Sequence, residues 1–498
     1  MRQESDMRIL KRAGIILFWL VLWQLASLGI HNSILFAGPL ETVRALAEMI
    51  PAGAFWLSVA NSAARILCGL LLGAAAGIAL GAVSYRTAWF RGIFSLFVTV
   101  LKTVPVVSFV ILLLIWRGSA MLSLWISFLV VFPIFCLSTE EGLGNVDGRL
   151  KEAADVFGID LPGRIKALYI PALKPSLLSA LRLSAGMSFK SGAAAEVIGQ
   201  PLLSMGNNLY RAKIYLDTAE LFAWTAVIIL VSCCAEKLLL SLAAAAERLS
   251  LPAASFLSER SAGIPDGKPR DSAREAVSPL IRAEEISKSF GEQPVLRHFS
   301  AKLDPGGAYL VTGESGIGKT TFLRILMGLE SADSGRVQVL RGESRSADSG
   351  RIPAPRAAGT GRPGCRGVRL RASVVFQEDR LFENLTAAEN IGLVRGAPPV
   401  HRIKEELCRL LPEDAADKPV RELSGGQKRR VAIVRALLAE SETVFMDEPF
   451  TGLDEDNRRR AAEYIRERQG GRTLVVTGHS AAGLEGFDEI AIPPAANE

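Results

Sequence analysis

Residues 313–320, GESGIGKT, have the composition of a loop that wraps phosphate groups. The apolar run AYLVT precedes the loop at 308–312 and reads as a buried strand, and TFLRILMGL follows as a helix. This strand, loop and helix are the context in which glycine-rich backbone N–H groups cradle phosphates, a lysine reaches the β- and γ-phosphates, and a hydroxyl ligates Mg²⁺. The candidate nucleotide-binding residues are Gly313, Glu314, Ser315, Gly316, Ile317, Gly318, Lys319, Thr320 and Thr321.

Two further segments carry residue types that could bind or act on a phosphate group. TVFMDE at 443–448 reads as a buried strand ending in two acids, of which Asp447 would hold Mg²⁺ and Glu448 would polarise an attacking water. LSGGQ at 423–427 precedes a helix and predicts an anion site at its N-terminus. One P-loop already serves one nucleotide, so this second site predicts a nucleotide held by another subunit.

These motifs, with VVFQ, TGLD and a late histidine in the same order, resemble the nucleotide-binding domain of an ATP-binding cassette (ABC) transporter over about 215 residues. The resemblance implies an α/β P-loop ATPase that uses ATP and Mg²⁺. It implies that Phe290 stacks on adenine, that Gln377 senses the γ-phosphate and the metal, and that His479 holds the γ-phosphate. ATP would also meet Asp454 at a dimer seam and, across the dimer, Ser424, Gly425, Gly426 and Gln427. The histidine stands in TGHS, which departs from the family's usual threonine before it and aspartate after it.

Residues 1–250 differ sharply from this soluble half, because they are apolar and glycine-rich. Six candidate spans of about 20 residues each are predicted, which makes this domain an all-α polytopic membrane domain in the lipid bilayer; they are 14–30, 59–83, 93–116, 119–138, 173–199 and 222–245. With the N-terminus inside, inner segments hold eleven basic residues and outer segments four. That asymmetry places the N-terminus and the ATPase domain in the cytoplasm. The net charge of +6 fits such basic loops, so nucleic-acid binding is not predicted.

Among the ionisable residues inside the predicted spans, four form a candidate set. Arg182, Lys190 and Glu196 share one face of about 120° on the fifth span, and Lys102 lies in the third. Charges at membrane depth are costly and commonly face a cavity or a partner, so these residues are candidates for a translocation path. Structural pairing, or a position closer to the interface, is the alternative.

The domain boundaries follow from composition. Residues 251–279 are rich in Pro, Gly, Ser and charge and predict a flexible linker before the domain at 280–498. Within that domain, residues 341–371 form a long segment with eight arginines and no lysine. It predicts a solvated disordered loop, with binding to lipid head groups as the alternative.

Residues 151–171, KEAADVFGIDLPGRIKALYIP, are charged and amphipathic although they lie between apolar spans. Their spacing resembles the cytoplasmic coupling loop of permeases in bacterial binding-protein-dependent importers: Glu152, Ala153 and Ala154, then Gly158, then an apolar ending closed by a proline. The resemblance implies docking into a groove of the ATPase, with Val156 and Phe157 as the inserted side chains. An ordinary interfacial amphipathic helix is the alternative.

Flanking stretches such as AAAEVIG resemble permeases for nitrate, sulfonate and taurine-like solutes, a group whose relatives also carry vitamin precursors. The resemblance implies a homodimer in the bacterial inner membrane that imports a small molecule delivered by a separate extracytoplasmic solute-binding protein. Two alternatives remain. One is an exporter, although the loops here are short, and the other is a membrane ATPase that relays a signal without transport.

Overall fold

The computed structural model describes residues 2–30, 32, 34–249, 278–341, 370–478 and 484–493. The chain divides into two compact units, one made of Met1–Asn145 and Ala172–Ser250, the other of Val146–Pro171 and Leu251–Glu498. By its contacts, the predicted coupling stretch (residues 151–171) therefore groups with the part of the chain that follows the predicted linker. Most of the predicted linker and insert (251–277 and 342–369) and His479 lie outside the described residues.

The first unit is helical, as predicted. Its helices in chain order are α1 (Arg2–Ile30), α2 (Pro39–Met49), α3 (Gly53–Arg86), α4 (Ala88–Thr103), α5 (Val106–Arg117), α6 (Leu122–Gly144), α9 (Ile170–Gly199), α10 (Met205–Ile214) and α11 (Thr218–Leu249). Every predicted span overlaps one of these helices. By length and composition, α3, α6 and α11 can each cross a membrane within the described part of the chain, and a fourth span results if α4 and α5 count as one.

The predicted third span, 93–116, is wrong as a single straight helix. Helices α4 and α5 meet at a bend of 97°. Val104 between them is extended, with φ −68° and ψ 130°, because a residue before proline is sterically pushed out of the helical region by Pro105.

The four-residue glycine repeat of α3 packs directly on α6. A methyl group at Gly69, Gly73, Gly77 or Gly81 would lie 2.2–2.9 Å from a backbone carbonyl oxygen of α6. These carbonyls are themselves four residues apart, at Leu124, Phe128, Phe132 and Cys136. The two backbones therefore touch over four successive helical turns, as small residues permit in membrane proteins.

The second unit is an α/β fold, which confirms the prediction for this part of the chain. Its strands are β1 (Leu280–Phe290), β2 (Gln293–Leu303), β3 (Ala308–Thr312), β4 (Ser334–Leu340), β5 (Ala372–Val375), β6 (Thr443–Asp447), β7 (Thr473–Thr477) and β8 (Asp488–Ala491). A parallel sheet has the order β5-β6-β7-β3-β8, and an antiparallel sheet has the order β2-β1-β4. Strands β6 and β7 are buried throughout, so the parallel sheet forms the core.

Helices flank the sheet and carry the predicted motifs. They are α7 (Gly148–Val156), α8 (Leu161–Arg164), a π-helical turn (Ile165–Tyr169), α12 (Lys319–Leu326), α13 (Ala387–Gly392), α14 (Val400–Cys408), α15 (Gly425–Leu438) and α16 (Glu455–Arg468). Parallel neighbours end at the same edge of a sheet. The P-loop after β3, the acids at the end of β6 and the end of β7 therefore meet there.

Candidate ATP-binding and coupling site

The P-loop takes a backbone conformation that only glycine accepts easily. Gly313, Gly316 and Gly318 have φ values of 148°, 82° and 107°, in the region that side chains disfavour. At Gly318 a Cβ atom would also lie 2.7 Å from the side chain of Val295. Helix α12 starts at the next residue, so the loop delivers the backbone directly into a helix N-terminus.

Lys319 is 6% exposed and lies folded against this loop. Its Nζ donates hydrogen bonds to the carbonyl oxygens of Gly313 (2.7 Å) and Glu314 (3.0 Å). The arrangement fixes a cation within the curve of the loop, beside the N–H groups that open α12. A phosphate is the ligand that such a combination favours.

Three oxygen-bearing side chains face one cavity of about 160 Å³ next to the loop. The cavity is lined by Thr320, Gln377 and Asp447 among others. A hydroxyl, an amide and a carboxylate are hard oxygen ligands, and Mg²⁺ on a nucleotide commonly takes only one or two carboxylates from the protein. These residues fit the predicted metal.

The two acids at the end of β6 are held by a residue that the motif analysis missed. Thr477 is 1% exposed at the end of β7, directly beside Asp447 in the sheet register. Its Oγ1 donates to Asp447 Oδ1 (2.7 Å) and accepts from the Glu448 N–H (2.9 Å). Glu448 has φ +47°, so the chain turns sharply where the candidate water-polarising carboxylate begins. The Thr451 hydroxyl contacts Glu448 Oε2 at 3.3 Å.

The segment 423–427 caps helix α15. Ser424 Oγ accepts from the Gln427 N–H (3.3 Å), and Gln427 Oε1 accepts from the Ser424 N–H (2.9 Å). This reciprocal pair is a capping box. Because Ser424 uses a lone pair in the cap, its O–H remains able to donate to a phosphate oxygen. Ser424 and Gly425 are exposed, and Gly426 and Gln427 are half-buried.

Phe290 and Asp454 also lie at the surface of this unit. Phe290 ends β1 with 52% of its surface exposed, and Lys288 Nζ lies 5.2 Å from its ring centroid. Partial burial acts to lower the pKa of Lys288, but hydrogen bonds to Asp333 and Glu330 outweigh it and raise that pKa. Asp454 caps α16 by accepting from the Asn457 N–H at 2.8 Å, and the two hydrogen bonds from Asn457 lower its pKa.

Arg429 is a second residue that the motifs did not identify. It is 3% exposed on α15. Its guanidinium donates to the backbone carbonyls of Phe376 (2.5 Å), Gln377 (3.3 Å), Asp447 (2.6 Å) and Glu448 (2.6 Å). The signal in the sequence is an arginine on the apolar face of an amphipathic helix, where it needs several acceptors. Arg429 thus connects the helix after LSGGQ to the end of β6 and to the loop that begins at Gln377 (the glutamine loop).

The contacts of the coupling stretch account for the residue types in its sequence. Asp147 caps α7 by accepting from the Arg149 N–H at 2.8 Å. Glu152 Oε1 pairs with Arg324 (2.8 Å) and its Oε2 with Arg380 (2.6 Å). The two alanines that follow, Ala153 and Ala154, have no exposed surface.

The aromatic end of this stretch is equally constrained. Phe157 is 3% exposed, Val156 is half-buried, and the Phe157 carbonyl accepts from the Arg395 N–H at 3.1 Å. Gly158 has φ +60°, and a Cβ there would lie 2.9 Å from the Arg395 guanidinium. Arg149 also pairs with Glu378 and lines the same cavity as Thr320 and Asp447.

In the first unit, Glu196 differs from the other candidate path residues in its burial. Glu196 has no exposed surface, and its Oε2 accepts from Ser62 Oγ (2.7 Å) and the Gly206 N–H (3.2 Å). Lys102, Arg182 and Lys190 are exposed in the chain. The burial comes from close packing, because a Cβ at Gly206 would lie 2.4 Å from the Glu196 Cβ.

Comparison with known families assigns the two halves separately. Residues 69–245 match the family model described as the binding-protein-dependent transport system inner membrane component. Residues 296–451 match the ABC transporter model. One polypeptide thus joins a segment of each kind, as the motifs predicted.

The relatives match the second half. The sulfate/thiosulfate import ATP-binding protein CysA of Nitrosomonas europaea is 34% identical over 226 residues, 43% of this chain and 57% of that protein. The Nod factor export ATP-binding protein I of Ralstonia nicotianae is 34% identical over 224 residues, 43% of this chain and 64% of that protein. The chain therefore spans less than two thirds of these relatives. Among solved structures, dimeric MJ0796, a bacterial ABC transporter cassette, is 25% identical with a TM-score of 0.34, over 43% of this chain and 94% of that one.

Proposed function

We propose that this chain, which joins a permease-type segment to an ATP-binding cassette, is an ATP-driven transporter that imports a small solute. One observation carries the proposal. The cavity lined by Thr320, Gln377 and Asp447 is also lined by Arg149, on the helix α7 that begins the coupling stretch, and by Arg324 and Arg380, which pair with Glu152 of that stretch. The candidate metal ligands and the segment between the membrane helices therefore share one small space.

The residues present can carry ATP hydrolysis. Lys319 and the P-loop N–H groups would bind the β- and γ-phosphates, and Thr320, Gln377 and Asp447 would hold Mg²⁺, which neutralises phosphate charge when bound. Glu448 would orient the attacking water, with its backbone fixed by Thr477 and Arg429. Phe290 would stack on adenine, and His479 would contact the γ-phosphate.

Two copies would complete two ATP sites. The exposed Ser424 hydroxyl and the helix N-terminus behind it offer donors to a nucleotide on another subunit. Asp454 would lie at the seam between the copies. A homodimer supplies two permease segments and two cassettes without any further chain, and pairing with a related chain is the alternative assembly.

The importer reading is supported by the coupling pattern and by relatives whose names specify import of sulfate/thiosulfate or Fe(3+) ions. A separate binding protein outside the bacterial inner membrane would deliver the solute. Among the four candidate path residues, the three cations Lys102, Arg182 and Lys190 are exposed and the acid Glu196 is buried, which favours an anion of the nitrate, sulfonate or taurine type. A vitamin precursor is the other solute class.

The test is ATP hydrolysis and uptake by the full chain in nanodiscs and proteoliposomes, with candidate binding proteins and a panel of anions and cations. Stimulation that needs both a binding protein and one anion supports the proposal. Lys190→Met should then weaken stimulation by that anion, whereas Lys237→Met, at an exposed position on α11, should not. Glu448→Gln should bind ATP without turnover, and sustained hydrolysis by this variant would remove Glu448 from its role.

Export is the second candidate, because the Nod factor relative is named as an export protein. Hydrolysis that ignores every binding protein, together with outward movement of a preloaded solute, would establish export. Hydrolysis without flux of any solute in either direction would favour a signal-relaying ATPase.

A further inference from the structure

Arg435, on α15, is a buried cation with an unusual set of neighbours. It is 1% exposed, and no carboxylate lies within salt-bridge distance among the described residues. Its Nη1 and Nη2 donate to the carbonyl oxygens of Arg380 (2.9 Å) and Asp379 (3.1 Å). Its Cζ lies over the ring of Phe157, 4.4 Å from the ring centroid.

The electrostatics of this site favour the aromatic contact. Burial lowers the pKa of Arg435 to about 9, and the nearby Asp379 acts against this shift. Its Nε also has no hydrogen-bond partner within the described part of the chain. A desolvated charge with so few hydrogen-bond acceptors is strongly attracted to the negative face of an aromatic ring, since cation–π attraction grows as water is excluded.

The two carbonyls that Arg435 holds belong to the loop that begins at Gln377. Arg429, six residues earlier on the same helix, holds the start of that loop through the Gln377 carbonyl (3.3 Å) and Asp379 Oδ1 (3.1 Å). Arg429 thus holds this loop at Gln377 and Asp379, and Arg435 holds it at Asp379 and Arg380. Of these two arginines, Arg435 is the one whose guanidinium contacts an aromatic ring of the coupling stretch.

We infer that Arg435 is a positioning residue that links the coupling stretch to the glutamine loop: its Cζ lies over the ring of Phe157 while its Nη1 and Nη2 hold the carbonyls of Arg380 and Asp379. The inference rests on the proposed ATPase function. Movement of Phe157 would shift the guanidinium, and with it the segment that places the Gln377 side chain at the metal cavity. The attraction between the guanidinium charge and the ring quadrupole, and not the volume of the ring alone, makes Arg435 follow Phe157.

Fluorinated phenylalanines at position 157 test this inference, because they weaken the negative ring face while nearly preserving shape. The full chain in nanodiscs would carry Phe or its mono-, di- and trifluoro analogues, and basal MgATP hydrolysis would be measured. We expect log kcat to fall stepwise with each fluorine, about tenfold over the series, with KM for ATP unchanged. A flat series with active protein would overturn the inference and leave the proposed ATPase intact.

Phe382 supplies the matched control. It is buried to a similar degree (2% exposed) in the same region, and among the described residues no arginine or lysine lies over its ring. The same analogues at position 382 should give a flat log kcat. An equal slope at both positions would show that ring packing is responsible, and would refute the cation–π role.

Arg435→Lys and Arg435→Met extend the test to the cation. Arg435→Lys should keep part of the fluorine dependence at position 157, whereas Arg435→Met should abolish it even where its kcat is low. A fluorine slope that persists in Arg435→Met would contradict the inference. Absence of ATP hydrolysis in the wild-type chain is a separate outcome, since it would reject the proposed function itself.

Discussion

The hydroxyl of Thr477 joins the candidate metal carboxylate to the candidate catalytic residue, and its removal tests the geometry of the ATP site. Thr477→Val keeps the shape of the side chain. It deletes the donor to Asp447 Oδ1 (2.7 Å) and the acceptor for the Glu448 N–H (2.9 Å). Because the site is buried, water cannot easily replace either bond.

The expected magnitude follows from these two bonds. A hydrogen bond to a charged group contributes about 1.5–3 kcal/mol, and a buried N–H without an acceptor costs about 1–3 kcal/mol. Since about 1.4 kcal/mol corresponds to a factor of ten, we expect kcat for ATP to fall roughly 10- to 100-fold. The concentration of Mg²⁺ needed for half-maximal activity should rise as well, because Asp447 loses its orientation.

Thr473 provides the control on the same strand. It is equally buried, and its Oγ1 accepts from the Gly306 N–H (3.1 Å) and lies 3.4 Å from the Asp304 carbonyl, away from the metal cavity. Thr473→Val should lower thermal stability without changing the Mg²⁺ requirement, and Thr477→Ser should restore most activity. Wild-type kcat in Thr477→Val, or an equal Mg²⁺ effect in Thr473→Val, would refute the reasoning.

Three further changes have defined outcomes. Glu152→Gln removes the charge that pairs with two arginines, so amide exchange over 148–156 should accelerate about 10- to 100-fold by mass spectrometry, and unchanged protection would contradict this. Glu196→Gln should cost about 1–3 kcal/mol in thermal unfolding. Combined with Ser62→Ala it should cost less than the sum of the two single changes, because they share the Ser62–Glu196 hydrogen bond while Ser62 alone also accepts from the Met205 N–H; full additivity would argue against this. Asp454→Asn keeps a capping side chain but removes the carboxylate, whose pKa is lowered in the fold. Its loss of unfolding free energy relative to wild type should therefore be present above about pH 4 and vanish as pH falls through the folded pKa. A loss measured by calorimetry that is independent of pH would count against this.

Motifs that depend on backbone shape and on strand ends could be read from the sequence. The glycines of the P-loop require positive φ, and the run TVFMD is apolar enough to be a central strand. Because parallel strands end at one edge, these two facts alone predict that Lys319 and Asp447 lie near each other. The coupling spacing was recognised by its resemblance to the permease loop, and the structure gives it a physical basis, since Gly158 has a positive φ and Ala154 is fully buried.

Residues that act through long-range backbone acceptors could not be identified in this way. Arg429 and Arg435 lie in a run that reads as an ordinary amphipathic helix, and only folding brings the carbonyls of Gln377 and Asp379 to them. The burial of Glu196 could not be foreseen for a related reason. Helical periodicity gives its angle on α9, but the packing partners that bury it come from residues such as Ser62 that are 134 positions away.

The glycine contact between α3 and α6 limits how the membrane unit can deform. From Gly69 to Gly81 the two backbones are in contact over about 18 Å, so the two helices behave as one rigid unit. The pair can tilt as a whole, but the helices cannot slide past the carbonyl oxygens without steric overlap, and separating them would give up the packing along this whole length. Flexure should therefore concentrate at Val104–Pro105, where the helical hydrogen bonding is already interrupted. A spin-label pair across α3 and α6 should keep one narrow distance in every nucleotide state, whereas a pair across the 97° bend should not.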